Sequence, residues 1–446
     1  MSDSEFGIFT VLLFVLVGAA HLLGYLFVRL RQPRVVGEIC AGVLLGPVVL
    51  GHFAPALSNV LFFGNSVSGN KHQVVLGFLY NLGLLLLMFV SGAEVKGLFN
   101  LEDRRQITFL GIVGTAIPFL LVIFIAPHLP LAPLIGPAGQ KVSLLLVLGI
   151  AMAVTSIPVI SKILHDLGIL RSRFARLVLG VAVIEDIVLW AVLAVATALA
   201  KSGTVPERQI ILHVVAAISY FAVGMLVMPH LFQRLSRARW NLLAKTSPVA
   251  YLIVVLLAYA AAASLFDVSL VFAAFLAGYG ISVRIKDFGP AIDSISKVSY
   301  AFFIPIYFAV VGYRLDLTRS FSFSMLAVFL VAACAVKILS AGLGARLARF
   351  SWSDSFNLAI ALNARGGPGI VLASVAAGAG IISAALYTTL VLIAIFTSQL
   401  TGAWLDYVLR KDMPLLASEK NIIHVEGTFE GASLGDEVVT DLMRSA

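Results

Sequence analysis

The stretch GVAVIEDIVLWAVLAVATALA, residues 180–200, decides the fold of this chain, because it places two adjacent carboxylates inside an apolar helix. The apolar segment 177–200 is long enough to cross a bilayer, and Glu185 and Asp186 fall near its middle. A charged side chain at that depth costs about 2.5–3.5 kcal/mol on insertion scales, and such residues mark ion and proton pathways. The pair therefore predicts an ion- or proton-binding site inside a membrane.

The composition of the chain is that of a membrane protein. Of 446 residues, 60% are hydrophobic and only 12% are charged, and the mean hydropathy is +1.02. A soluble domain has about 25% charged residues. The net charge of +8 would indicate nucleic-acid binding in a soluble protein, but here we attribute it to cytoplasmic loops. The first apolar segment has no basic n-region and no cleavage site, so we expect a transmembrane helix rather than a signal peptide.

Apolar runs of about 20 residues predict an all-α polytopic membrane protein with about thirteen transmembrane helices. These segments are residues 6–28, 35–51, 74–92, 107–127, 143–165, 175–200, 209–231, 248–265, 269–283, 298–313, 323–345, 355–380 and 384–409.

The distribution of Lys and Arg predicts how the chain is oriented. The loops on one side of the predicted membrane hold 21 Lys and Arg residues, and the loops on the other side hold 6. Basic loops remain in the cytoplasm. We therefore expect a multi-pass protein of the cell's inner (plasma) membrane, with the N-terminus outside and the C-terminus in the cytoplasm.

Two of the predicted helices are interrupted near mid-membrane. Segment 143–165 contains VTSIPVI and segment 355–380 contains LNARGGPGIV. Proline removes a backbone donor and clashes with the preceding turn, and non-helical backbone at this depth must be buried in protein or line a cavity. Interrupted helices in corresponding positions are typical of transporters built from inverted repeats. Because the breaks fall in the fifth and twelfth segments, segments 4–6 and 11–13 are predicted to be inverted triplets whose broken helices cross.

Lys337 lies about half-way along predicted segment 323–345, deep in the membrane, and is the expected partner of the acid pair. A buried charge needs a partner, and we expect Lys337 to pair with Glu185. Asp186, about 100° further around the helix, would then face a cavity. A carboxylate that accepts either a proton or a metal cation couples the two fluxes, because both cannot bind at once. The alternative is that the pair of Glu185 and Lys337 only fastens two helices together.

The residues at the breaks have open interpretations. Arg365 either takes part in the ion pathway or has a structural role, in which it satisfies carbonyls freed by the interruption or pairs with Glu38. Thr155 and Ser156 either coordinate a cation or cap a broken helix. No Walker A, HExxH or GxGxxG pattern is present. We therefore expect neither an enzyme nor a nucleotide-driven pump, and no cofactor besides the transported ions.

Four segments in this order resemble the monovalent cation:proton antiporters of the second family. That group includes Kef-type potassium efflux systems and bacterial Na⁺/H⁺ antiporters with the NhaA-like fold. The likeness covers residues 6–410. The segments are QPRVVGEICAGVLLGPVVLG (32–51), LGLLLLMFVSGAEV (82–95), TSIPVISKILHDLGIL with VIEDIVLW (155–190), and VKILSAGLGARL with NARGGPGIVLASV (336–374).

The resemblance implies a dimeric antiporter for Na⁺ or K⁺ and protons that works as an elevator, in which a core domain moves against a dimerisation domain. The implied parts are a membrane domain of residues 1–410, with a core of 107–200 and 323–409, a dimerisation domain of 6–92 and 248–313 and a linker helix of 209–231, and a short cytoplasmic tail of 411–446.

By motif position, the resemblance makes Asp186 the carboxylate that binds the cation or the proton, Lys337 the lysine that bonds Glu185, and Thr155 the hydroxyl at the crossover. Two departures matter. Members more often carry Asp, Asn or Gln at the first acidic position, which leaves the stoichiometry open. Kef-type members also carry a nucleotide-binding domain after the membrane region, whereas only 412–446 follow here, without a glycine-rich phosphate loop. The implied partners are the cation, the proton, the lipid bilayer and a second copy, and no nucleic acid.

Two other functions fit the same features. One is a gated cation channel or sensor with the same fold, in which the carboxylates gate and do not cycle. The other is a carrier of an organic solute. Trp190 is the only aromatic residue close to the acid pair, which does not favour a roomy organic pocket.

Overall fold

A computed structural model shows an all-α protein, which confirms the predicted fold class. Where the chain is described, the single β-type pairing is an isolated antiparallel bridge between Ile135 and Ile382. The structure describes residues 2–30, 32–56, 58, 67–94, 103–170, 172–200, 207–239, 241–266, 268–282, 285–315, 317 and 321–419.

The helices in chain order are α1 (Asp3–Arg29), α2 (Arg34–Leu45), α3 (Leu50–Phe53), α4 (Val67–Glu94), α5 (Arg104–Ile125), α6 (Lys141–Ala153), α7 (Ile157–Asp166), α8 (Arg173–Ala200), α9 (Glu207–Leu226), α10 (Met228–Arg237), α11 (Leu242–Thr246), α12 (Pro248–Leu265), α13 (Leu270–Ser282), α14 (Ile285–Val298), α15 (Ile304–Tyr313), α16 (Phe323–Leu347), α17 (Trp352–Ala361), α18 (Gly366–Gly378) and α19 (Ala384–Arg410). Short 3₁₀ turns occur at Ala126–His128 and Ala417–Glu419, and a π-helical turn, Ser299–Phe303, joins α14 to α15.

Within the described ranges, nine segments are long and apolar enough to cross a membrane, and the bent pair α17–α18 makes a tenth. The other predicted segments, 143–165, 209–231 and 269–283, also contain helices but do not meet the same length and hydropathy requirement. A polytopic membrane fold is therefore present, and the count of thirteen spans stays a prediction.

Both predicted interruptions are present. Helix α6 ends at Ala153 and α7 begins at Ile157, with three non-helical residues between them. Helices α17 and α18 meet at an angle of 45°, where Gly366, Gly367 and Pro368 open α18. Proline is tolerated in a first helical turn because no amide donor is needed there. Each break therefore divides its segment into two half-helices, whose facing ends lie inside the protein.

The helices pack in two groups. In the first, α1 packs on α2, α2 on α15, and α4 on both α13 and α15. In the second, α5 packs on α6, α8 and α16, α6 on α8, α16 on α17, and α18 on α19. Helix α9 touches α8 of the second group and α13 of the first. The first group contains helices of the implied dimerisation domain, the second contains helices of the implied core, and α9 overlaps the implied linker. The division of the chain into these domains stays a prediction.

Glycine brings α2 and α15 into backbone contact. A β-carbon on Gly42 would lie 1.8 Å from the Ala309 carbonyl oxygen, and one on Gly312 would lie 2.0 Å from the Ile39 carbonyl oxygen. Membrane helices approach closely through such small residues. The same reciprocal arrangement joins α4 to α13, through Gly92 against Phe275 and Gly278 against Phe89.

The segment after α19 folds back onto the core helices. Leu416 is fully buried, and the Ala417 N–H donates to the Asp354 carboxylate at the start of α17 (2.8 Å). The Glu419 carboxylate accepts from the backbone N–H groups of Arg173 (2.6 Å) and Phe174 (3.2 Å), which open α8. A carboxylate stabilises a helix N-terminus. The tail is thus packed as far as Glu419, and the rest of the predicted tail, 420–446, lies outside the described residues.

We expect Gly42→Ala to lower the thermal unfolding midpoint of the purified protein in detergent. The new methyl group would overlap the Ala309 carbonyl, and overpacking costs at least about 1–3 kcal/mol. The matched control is Gly77→Ala on α4, where an added β-carbon would have nothing within 4 Å. Equal midpoints for the two variants would show that the α2–α15 contact is looser than described.

Candidate functional site

The acid pair lies in the middle of α8 and is sealed from solvent. Glu185 is 0% exposed and Asp186 is 1% exposed. Adjacent positions on a helix point about 100° apart, so the two carboxylates have different neighbours. Burial at this level requires that each charge be compensated by partners within the protein.

Lys337 on α16 compensates Glu185. Its Nζ lies 2.6 Å from Glu185 Oε1 and also donates to the carbonyl oxygens of Gly114 (3.4 Å) and Ala153. An ammonium group has three donors, and each here has one acceptor. Thr115, which sequence reasoning missed, adds a hydroxyl donor 3.4 Å from Glu185 Oε1. The ammonium therefore joins α16 to α5, α6 and α8.

Asp186 has no comparable compensation. Its buried Oδ1 has no hydrogen-bond partner within the described part of the chain, and the same holds for Glu185 Oε2. Buried polar atoms are nearly always hydrogen-bonded, and exceptions call for an explanation such as a catalytic role or a water or ion. The two orphaned oxygens are therefore available as ligands on the same helix.

The two breaks are bonded to each other. The Thr155 hydroxyl donates to the Leu362 carbonyl, and the Ser156 N–H donates to the Ala364 carbonyl at 2.6 Å. Thr155 and Ser156 are both 0% exposed. The Ser156 hydroxyl accepts from the Val159 N–H at 3.4 Å, which is a helix-capping contact. Of the two sequence interpretations for Ser156, the geometry thus provides the capping contact.

Arg365 solvates carbonyls of the other broken helix. Its Nε donates to Ala151 (3.1 Å), and Nη2 donates to Met152 (3.0 Å) and Ala333 (2.8 Å). The carbonyls of Ala151 and Met152 lie in the last turn of α6, where the intrahelical donors are missing. The contacts of Arg365 therefore match the interpretation in which it satisfies freed carbonyls. These carbonyls belong to the break between α6 and α7, whereas Arg365 lies at the break between α17 and α18.

The alternative that Arg365 pairs with Glu38 is wrong. Glu38 Oε1 instead accepts from Arg34 Nε at 2.9 Å, one helical turn away on α2. An Arg four residues before a Glu on one helix is an adjacent partner, whereas the Arg365 guanidinium is already surrounded by carbonyl oxygens. Glu38 is nevertheless buried, with 3% exposure.

Helix α19 supplies two hydroxyls that sequence reasoning also missed. Thr397 Oγ1 accepts from the Arg365 N–H (3.4 Å), and Ser398 Oγ accepts from the Gly366 N–H (3.2 Å). These two hydroxyl oxygens therefore accept hydrogen bonds from the backbone N–H groups at the start of α18. The sequence feature that could have indicated them is the pair of adjacent hydroxyl residues inside an apolar segment that follows a predicted break.

Two cavities lie toward opposite ends of α8. One, of about 520 Å³, is lined by Thr197 near the end of α8 and by Ser374. The other, of about 730 Å³, is lined by Leu167, shortly before α8, and by Ser398 and Arg410. Neither set of lining residues includes the acid pair.

The donor set around the acid pair fits a proton or a monovalent cation. With Glu185 bonded to Lys337, Asp186 Oδ1 is left without a hydrogen-bond partner among the described residues. Within the described ranges, no group of three or more His, Cys, Asp or Glu side chains could hold a metal ion. An alkali cation would therefore be held by carboxylate oxygens together with hydroxyl or carbonyl oxygens freed at the breaks, as in other transporters with broken helices.

Comparisons with known proteins show what this chain is similar to. The profile of the family described as "Sodium/hydrogen exchanger, transmembrane" matches residues 6–411. The K(+)/H(+) antiporter 1 of Saccharomyces cerevisiae is 28% identical over 421 residues, which are 90% of this chain and 46% of that protein. The Na(+)/H(+)-K(+) antiporter GerN of Bacillus cereus is 26% identical over 420 residues, 93% of this chain and 100% of GerN.

The chain therefore spans about half the length of the yeast relative and all of the Bacillus relative. Among solved structures, the sodium proton antiporter MjNhaP1 from Methanocaldococcus jannaschii has the same fold, with a TM-score of 0.57. The sequence identity is 16%, and the match covers 90% of this chain and 96% of MjNhaP1.

We expect Lys337→Ala to destabilise the protein by about 3–5 kcal/mol, because it leaves a buried carboxylate without its partner. The double variant Lys337→Ala/Glu185→Gln should recover part of this loss. Thermal unfolding in detergent measures both effects.

Lys297→Ala is the matched control, since Lys297 forms a pair of 2.7 Å with Asp293 that is well exposed and such pairs contribute about 0–1 kcal/mol. A Lys337→Ala midpoint equal to that of this control would mean that Glu185 does not depend on Lys337.

Proposed function

The chain belongs to the sodium/hydrogen exchanger family, and we propose that it is a secondary active antiporter that exchanges a monovalent cation, Na⁺ or K⁺, for protons. The observation that carries this proposal is the buried Asp186 oxygen that has no hydrogen-bond partner among the described residues, beside a Glu185 already bonded to Lys337. The activities in the names of the relatives support the proposal, because GerN matches along its full length.

Coupling follows from the charge of the site. Lys337 offsets Glu185, so Asp186 holds the one charge that a substrate would neutralise. A proton and a monovalent cation each do so, and they compete for the same oxygen. Exchange then requires only that the site change sides of the membrane with either ligand bound and not when empty. An empty site would carry an uncompensated charge through a low-dielectric region.

Asp186 is the proposed cation and proton ligand, with Glu185 Oε2 beside it. Thr155 is proposed as a further ligand, because its hydroxyl donates its hydrogen to Leu362 and keeps its lone pairs for a cation. Ser156 is proposed to contribute to the cation- and proton-binding site through its position at the break. Arg365 is proposed to hold the end of α6 in place rather than to bind the ion.

Alternating access is proposed to occur as an elevator movement of the α5–α8 and α16–α19 helices against α1–α4 and α12–α15. Hydrogen bonds between the two breaks would keep the crossing intact as it moves. The two cavities toward opposite ends of α8, neither lined by the acid pair, are compatible with an occluded site reached alternately from each side.

The proposed setting is the inner membrane, with the N-terminus outside and the C-terminus in the cytoplasm, on the basis of the Lys and Arg asymmetry. A homodimer through the first group of helices is proposed from the family resemblance. No cofactor is proposed, because a bound proton and a bound cation account for the exchange.

The test is proton flux in sealed proteoliposomes that contain a pH-sensitive dye, with Na⁺, K⁺ and Li⁺ added in turn. We expect at least one cation to drive proton movement, and Asp186→Asn to reduce it to the level of empty liposomes, because the amide cannot carry the exchanged charge. Asp293→Asn is the matched acid-to-amide control, since that exposed side chain pairs with Lys297, and it should retain wild-type flux.

Normal transport by Asp186→Asn would show that the site is elsewhere. Cation flux without proton movement would replace the antiporter with a channel. No flux with any of the three cations, in protein shown to be folded and inserted, would reject monovalent cation exchange.

A further inference from the structure

A second buried carboxylate lies in a hydrogen-bonded chain outside the acid pair. Glu38 Oε1 accepts from Arg34 Nε at 2.9 Å, the Arg34 Nη2 contacts His21 Nδ1, and His21 Nε2 lies 2.7 Å from the Ala301 carbonyl oxygen. The chain therefore runs from α2 through α1 to the π-helical turn before α15. Turns of this kind often occur at functional sites.

The donors and acceptors in this chain fix the state of His21. A guanidinium can only donate and a carbonyl can only accept. His21 Nδ1 must therefore accept from Arg34, and Nε2 must carry the hydrogen that goes to Ala301. His21 is thus neutral, in the Nε2–H form, for as long as Arg34 holds this position.

Close packing of α1 on α2 keeps Arg34 between its two partners. A β-carbon on Gly24 would lie 3.0 Å from Arg34 Cγ, and one on Gly37 would lie 2.4 Å from the Leu23 carbonyl oxygen. The glycines let the two helices approach so closely that Arg34 at the start of α2 reaches His21, which lies two turns before the end of α1.

Glu38 also faces a cavity next to the second broken helix. The cavity has a volume of about 260 Å³ and is lined by Arg34, Glu38 and Ser91 on one side. Gly367 and Pro368 line the other side, in the first turn of α18. The carboxylate is therefore placed where the first helix group meets the break of the second group, one turn from the end of α2 that is predicted to be cytoplasmic.

We propose that Glu38 is a second site for a monovalent cation or a proton, on the predicted cytoplasmic side, and that protonation of His21 makes it available. This inference rests on the proposed antiport. A proton taken up from water at His21 Nδ1 would turn that nitrogen into a hydrogen-bond donor that faces the Arg34 N–H donor. It would also place a positive charge next to the guanidinium. Arg34, whose side chain is 41% exposed, would leave. Glu38 would then lose its counter-charge and take up a cation or a proton instead.

The other charged groups near His21 do not change this sequence of events. On α1, Arg29 stacks on the Tyr25 ring at 5.8 Å. On α14, just before the π-helical turn, Asp293 and Lys297 bind each other at 2.7 Å. Among described residues, Arg34 and Glu38 are the charged groups that α2 presents to this chain of bonds.

The test compares, at about pH 6 and at about pH 8, the KM for the cation on the predicted cytoplasmic side in wild type and in His21→Gln. Glutamine can accept from Arg34 but cannot take up the proton. We expect equal KM values near pH 8 and a KM at least threefold higher in His21→Gln near pH 6. His21→Lys carries a permanent charge and should lower the KM at pH 8. His230→Gln, an exposed histidine on α10, is the matched control and should follow wild type.

Superimposed profiles of wild type and His21→Gln would overturn the proposal. In a Glu38→Gln background the His21→Gln effect should vanish, and an undiminished effect would show that His21 acts through another group.

A measurement without transport separates this inference from the antiport itself. The ¹⁵N NMR signals of the His21 ring, assigned by their loss in His21→Gln, should show the Nε2–H form near pH 8. Arg34→Ala should remove this preference. A protonated or Nδ1–H ring in wild type would overturn the switch even if exchange is observed, and absence of exchange with the expected ring form would reject the antiport alone.

Discussion

The structure depends on the solvation of two buried cations by backbone carbonyls. Lys337 donates to Ala153 and Arg365 to Ala151 and Met152, and all three carbonyls lie in the last turn of α6. These oxygens are free only because the helix stops at Ala153. The break and the charges therefore require each other: an unbroken helix would leave both cations poorly solvated, and loss of the cations would leave a helix end without donors.

The same arrangement explains how α8 can keep two carboxylates in an apolar environment. One carboxylate is bonded to an ammonium that is itself held by two carbonyls. The other has one oxygen without a hydrogen-bond partner in the described part of the chain. A compensated pair therefore lies next to a carboxylate that can still bind a proton or a cation.

The sequence predicted the local features and missed those that join distant segments. The spans, the breaks and the acid pair follow from hydropathy, from Pro and Gly, and from the cost of buried charge, and the expected neighbour of Glu185 followed because one lysine was within reach. Arg365 was paired with Glu38 as one alternative, and Thr115, Thr397 and Ser398 were not considered. Their contacts depend on the rotation of each helix about its axis, which residue periodicity in a uniformly apolar segment does not specify.

The carboxylate of Glu419 on the first amides of α8 has a practical consequence for labelling. The eight residues after Lys411 belong to the folded body and not to a free end. An affinity tag or fluorophore joined directly to Arg410 would remove the cap from the helix that carries the acid pair. One joined beyond Glu419 would leave the cap intact, and would report on that helix from outside the membrane.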